Sequence, residues 1–299
     1  MNAGVLISPR CMAMEPTRAA PSVAEMVKAK RVTDALLAAA NRRGYIGPVI
    51  DPLAYPVMTA VALVSGFVDS IAGGGGLIMM PALFFAGASP LQALGTNKLQ
   101  SVFGTGVALR NYWRSGLVEW RPNRLTVALV FVGAVLGALV VQLIQTRLLN
   151  LMIPVLLVVS ALYILLSPRM SDEDAQHRVT SKGYAPIGAG IGFYDGLFGP
   201  GTGTFFSTSL VALRGYGLTK ATALTKLFNF SSNIASVLLF ALGGHMLWLL
   251  GLCMAVGAMI GGWLGSHSAL KFGARLIRPL LVTISLALTA KLLWGYFAG

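Results

Sequence analysis

The chain has 299 residues, of which 56% are hydrophobic and 11% charged, with 35 glycines and a formal net charge of +13. A soluble domain carries roughly a quarter charged residues, so this composition excludes a water-facing globule. The positive charge does not point to nucleic acid. The basic residues sit between apolar runs or in the first 50 residues, as in loops that face the cytoplasm and anionic lipid.

Residues 1–50 form a basic extension with Arg10, Arg18, Lys28, Lys30, Arg31, Arg42 and Arg43. No apolar run there is long enough to span, and no secretory cleavage pattern follows the charges. A flexible arm, an interfacial amphipathic helix over 23–40, or translation starting later, for instance at Met26, all fit. From residue 53 onward apolar segments follow at 55–86, 91–113, 125–145, 148–166, 184–213, 218–242, 245–266 and 276–298. About 20 apolar residues cross a bilayer. The expected fold is therefore an all-α polytopic membrane protein of about eight transmembrane helices. A polar connector, 167–183, separates a first transmembrane repeat (53–166) from a second (184–298).

The two halves repeat one another. Gly66-Phe67-Val68-Asp69 matches Gly192-Phe193-Tyr194-Asp195, and each is followed by a glycine cluster, Gly73–Gly76 or Gly199-Pro200-Gly201-Thr202-Gly203. Ala93-Leu94-Gly95-Thr96-Asn97-Lys98-Leu99 then matches Ala221-Thr222-Ala223-Leu224-Thr225-Lys226-Leu227, and Gly133-Ala134 with Gly137 matches Gly257-Ala258 with Gly261. Internal duplication is a common architecture of secondary transporters. The first segment of each half is too long for one span and too short for two. Its central glycines predict a helix broken or re-entrant there, and such backbone must be buried in protein or line a cavity. A spanning first segment makes the halves parallel and a re-entrant one makes them inverted. Charge placement leaves both open.

Four charges lie inside apolar surroundings: Asp69, Asp195, Lys98 and Lys226. Charges at that depth face an interior cavity or a partner. The lysines, together with backbone N–H groups of Gly74, Gly75, Gly201 and Gly203 at half-helix N-termini, make a candidate anion site. Asn97, Asn229 and Thr225 add donors, with Thr96 beside them. The aspartates are candidates for proton coupling, because low dielectric disfavours a carboxylate's charge. The competing structural reading pairs Asp69 with Lys98 and Asp195 with Lys226. Arg110 and Arg114, beside Tyr112 and Trp113, read as interfacial anchors, and His245 and His267 as capping or interface residues. No metal or cofactor is expected, and Cys11 and Cys253 form no disulfide or metal pattern. The Gly199–Thr204 run resembles a phosphate loop but lacks its Gly-Lys-Ser/Thr ending and its strand. An intramembrane aspartyl protease needs Gly-x-Gly-Asp, whereas both aspartates here precede their glycines. A scaffold without transport is a further alternative, though it has no need of charges and helix breaks in the membrane.

These motifs resemble the TauE/SafE family, also called the sulfite exporter or DUF81 family of membrane transporters, and within it the YfcA-like branch. The resemblance rests on Gly66–Gly76, Ala93–Gln100, Tyr194–Gly203 and Lys220–Asn229. It covers about residues 53–298 and leaves out 1–50. It implies a multi-pass inner-membrane protein that moves sulfite, a sulfonate or a related sulfur anion. Neither the particular anion nor the direction follows from it. With no ATP-binding motif in the sequence, coupling to an ion gradient is expected.

Overall fold

The computed structural model describes residues 51–166, 173–174 and 178–273. The basic arm 1–50, the segment 276–298 and most of the connector lie outside the described residues. Those described residues form nine α-helices and no strand. They are α1 (Ala54–Ala72), α2 (Gly75–Phe85), α3 (Pro90–Arg114), α4 (Trp120–Leu143), α5 (Thr146–Leu166), α6 (Ser181–Leu197), α7 (Thr202–Arg214), α8 (Leu218–Leu242) and α9 (Trp248–Phe272). Five of them, α1, α4, α5, α8 and α9, are long and apolar enough to cross a bilayer. The protein is a polytopic, all-helical membrane protein.

Each long first segment is two helices. The break in the first half falls at Gly73, whose φ of +75° suits a residue without Cβ and whose N–H closes α1 on the Asp69 carbonyl at 2.8 Å. The chain then turns back, and the Ser65 hydroxyl donates to the Gly75 carbonyl at 2.8 Å, ten residues on. In the second half Gly201, φ +85°, precedes α7. Tyr184 near the start of α6 meets Ser209 on α7 at 2.6 Å, and the Arg178 and Val179 N–H groups reach the Leu213 carbonyl at 3.1 and 3.0 Å. Both segments are therefore helical hairpins, and the re-entrant alternative holds.

The hairpins enter from opposite ends. At one rim the α3–α4 turn meets the starts of α6 and α8 and the end of α9. Glu119 pairs with Lys220 at 2.9 Å, Thr126 donates to the Ser181 carbonyl at 3.4 Å, and Asn111 donates to Ser266 at 2.8 Å. The α6–α7 hairpin opens at this rim. At the other rim the α8–α9 turn meets the start of α3, where the Leu247 N–H donates to Thr96 at 3.0 Å. The α1–α2 hairpin opens here. With the two hairpins opening at opposite rims, the halves run inverted.

They also interdigitate. α1 packs along α9, and α6 along α4. The duplicated small-residue motifs are the contact surfaces. A methyl group at Gly133 or Gly137 would run into the backbone of Ala189 or Phe193, and one at Gly257 or Gly261 into that of Thr59 or Leu63. Such close backbone approach is how helices associate where the hydrophobic effect between them is absent. Each half's glycine stripe holds the other half's broken helix.

Candidate site at the crossing of the hairpins

The sequence places the two breaks in equivalent positions, and the fold brings them face to face. A Cβ built on Gly76 would lie 3.1 Å from the Pro200 Cα, and Gly73 and Gly203 touch backbone to backbone. The Thr204 hydroxyl donates to the Ala72 carbonyl at 3.0 Å, and Tyr112 holds the Ser70 carbonyl at 2.9 Å. Lys98 and Lys226 each lie about 12 Å into 25-residue helices that run in opposite directions. Lys98 is thus nearer the rim of the α8–α9 turn, and Lys226 nearer the rim of the α3–α4 turn.

The pairing of these charges differs from the structural alternative read in the sequence. Lys98 binds Asp195 at 2.6 Å and Lys226 binds Asp69 at 3.1 Å. Neither aspartate pairs with the lysine of its own half. Because the hairpins pass one another, each carboxylate reaches the lysine of the other half, so the ion pairs stitch the two repeats together. Asp195 also accepts from the Ser232 hydroxyl, and Lys226 also donates to the Asp69 backbone carbonyl.

A small polar cavity of about 20 Å³ lies between the hairpin tips, lined in part by Asp69, Asn97, Lys98, Asp195, Gly203 and Asn229. All six are among the residues singled out in the sequence. A volume of this kind holds one or two waters, so a sulfur oxyanion requires the ion pairs to separate. The first turns of α2 and α7 present Gly76 and Gly203 to the cavity, so two helix N-termini, where the dipole favours anions, converge on it. The Asn229 side-chain oxygen is buried with no hydrogen-bond partner, leaving capacity on the cavity wall.

Five predicted site residues do not line it. Lys226 is fully buried in its pair with Asp69. The Thr225 hydroxyl bonds back to the Ala221 carbonyl at 2.9 Å within its own helix, a common sink for a helical threonine. Gly74, Gly75 and Gly201 shape the turns; Gly75 packs on Asp69 and Ser65, and Gly201 on Ser160. In their place stand Gly73, Gly76, Ser101, Gly199, Thr202 and Asn233. Carrying the repeat alignment further would have found several, because Gly73 matches Gly199, Gly76 matches Thr202 and Ser101 matches Asn229. His245 lies in the α8–α9 turn, where burial lowers its pKa, and no metal-binding cluster occurs among the described residues.

The family model for the sulfite exporter TauE/SafE matches residues 58–292. The "Probable membrane transporter protein YfcA" of Escherichia coli (strain K12) is 44% identical over 247 residues, 82% of this chain and 92% of that protein. The "Probable membrane transporter protein ORF9" of Sinorhizobium sp is 46% identical over 236 residues, 78% of this chain and 89% of the relative. A "Probable membrane transporter protein" of Haemophilus influenzae is 41% identical over 251 residues, 83% and 98% of the two chains. No solved structure matches the chain.

Proposed function

The chain belongs to the sulfite exporter TauE/SafE family of membrane transporters, and from that membership we propose that it carries a small sulfur oxyanion or organosulfonate across the inner membrane together with a proton. The reading rests above all on the crossed ion pairs, in which each lysine is held by a carboxylate of the opposite half. A carboxylate is itself an anion of the charge and oxygen geometry that an incoming substrate must supply. Substrate entering at Lys98 competes with Asp195, and the displaced carboxylate stands in a low-dielectric cavity without its cation. An uncompensated buried charge is costly, and uptake of a proton removes it. Anion and proton are thereby bound together. Lys98 and Lys226 at their two depths act as an outer and an inner gate, opened one at a time, while Asn97, Asn229 and the amides of Gly76 and Gly203 donate to the substrate's oxygens.

Counted over the described residues, the positive-inside rule supports an orientation with the rim of Arg114, Arg121, Arg124, Lys182, Lys220 and Lys271 in the cytoplasm. The start of α1 then lies at the opposite rim, and the basic residues that precede it in the sequence count against this orientation. The opposite rim carries Arg147 as its basic residue among those described. The protease reading loses support, because a dyad of that kind needs two carboxylates sharing a proton and here each faces its own lysine.

The test is uptake by proteoliposomes of sulfite, thiosulfate, sulfoacetate and taurine with and without an imposed pH gradient. At least one sulfur anion is expected to move, and Lys98→Gln to lower its flux about tenfold or more, the scale of one lost charge-assisted hydrogen bond. Asp195→Asn is expected to uncouple flux from the gradient. Normal transport by both Lys98→Gln and Lys226→Gln, or unchanged proton coupling in Asp195→Asn, would overturn the assignment.

A further inference from the structure

On the outer surface between α3, α4 and α8, at the basic rim, runs a groove of about 410 Å³ lined by Leu109, Trp113, Trp120, Phe131, Phe230 and Ile234, among others. Its size is that of a ligand pocket, about 300–1,000 Å³. Its wall is apolar, and the Ser231 hydroxyl on it is occupied by the Val127 carbonyl at 3.1 Å. Arginines share the helix faces that line it. Trp120, Arg124, Val127 and Phe131 follow the spacing of one helix face, so Arg124 belongs to the stripe that forms the α4 wall. Arg110 lies three residues before Trp113 on α3, again on one face. Arg110, Arg114, Arg121 and Arg124 are all exposed, and no carboxylate lies within ion-pair distance of them among the described residues. The nearby acid, Glu119, is paired with Lys220 at 2.9 Å.

We propose that this groove is a binding site for an anionic phospholipid of the leaflet on the basic side, with one acyl chain in the apolar channel and the phosphate held by Arg110 and Arg124. Bulk lipid covers any outer face of a membrane protein without regard to headgroup. A concave channel whose mouth carries tryptophans, which favour the headgroup level, and uncompensated guanidinium groups, which favour phosphate, selects by charge. The site is separate from the cavity between the hairpin tips and does not depend on what that cavity transports.

The experiment titrates the purified full chain in mild detergent with phosphatidylglycerol or phosphatidylcholine of identical chains, read by native mass spectrometry. Phosphatidylglycerol is expected to be retained about fivefold or more over phosphatidylcholine, the scale of one basic residue near a charged headgroup. Arg110→Gln/Arg124→Gln is expected to bring the two lipids to parity while the protein elutes unchanged in size exclusion. Arg124→Gln alone, a single exposed change, is expected to lower the preference part of the way. Ile234→Trp, which fills the channel, is expected to lower retention of both lipids. Glycerol 3-phosphate, carrying the phosphate without chains, is expected not to compete. Equal retention of the two lipids, a preference unaffected by the arginine changes, or effective competition by glycerol 3-phosphate would each overturn the proposal.

Discussion

The Lys98–Asp195 and Lys226–Asp69 pairs descend from one duplicated element, yet they stand in different surroundings. The Asp195 side chain is 5% exposed and the Asp69 side chain 24%. The difference traces to single positions. Ser232, one turn and a half beyond Lys226 on α8, donates to the Asp195 carboxylate. The matching position after Lys98 is Gly104, where α9 packs so closely that an added Cβ would lie 3.1 Å from the Ala258 carbonyl. A serine there would press its Cβ on that carbonyl; with glycine in place Asp69 lacks the corresponding donor and keeps an open side. Duplication supplied the same charges twice, and packing made one pair closed and the other looser.

Changes that strand a buried charge break this comparison most directly. Asp195→Asn leaves Lys98 without its counter-ion and is expected to cost about 3–5 kcal/mol in unfolding measured in detergent. Asp69→Asn is expected to cost less, about 1–3 kcal/mol, because Lys226 keeps the Asp69 carbonyl and the carboxylate is already part-solvated. Equal losses would mean that the two sites do not differ in the way described. The hairpin tips come next. Gly203→Ala drives a methyl into the Gly73 backbone and is expected to cost about 1–3 kcal/mol as overpacking. Gly74→Ala meets only the Val68 side chain at 3.9 Å and is expected to leave the melting temperature close to that of the parent. If the two alanines behave alike, the tips are not in contact.

Ser232→Ala sharpens the comparison from the other side. It removes the donor that only Asp195 enjoys and is expected to cost about 1.5 kcal/mol, after which the two aspartate substitutions should differ less. A Ser232→Ala protein in which the gap between them is unchanged would assign the asymmetry to something other than this hydroxyl. The smallest effect lies at the rim. Burial lowers the pKa of His245 from its ordinary 6.5, so the folded state binds fewer protons there than the unfolded chain. Its contribution is present above pH 6.5 and is lost as the pH falls below that value. His245→Gln should flatten the acid side of the stability curve slightly. Any slope that survives belongs to groups other than this imidazole.

Membrane residence, the helical class, the duplication and the glycine breaks were all legible in the chain, because hydropathy, length and repeated spacing are local properties that need no knowledge of neighbours. Five of the cavity residues were legible for the same reason, since charged and amide side chains inside an apolar run signal an interior, and Gly203 was legible from the helix break. The partners were not. Sequence proximity favoured Asp69 with Lys98, and the repeated Gly133-Ala134 and Gly257-Ala258 motifs carried no sign of what they touch. Whether the first segments crossed or turned back was equally undetermined by charge. Tertiary structure decided these points, since two hairpins entering from opposite ends can be buried only by packing each against the other half. That exchange carries each carboxylate past the middle of the molecule to the far lysine.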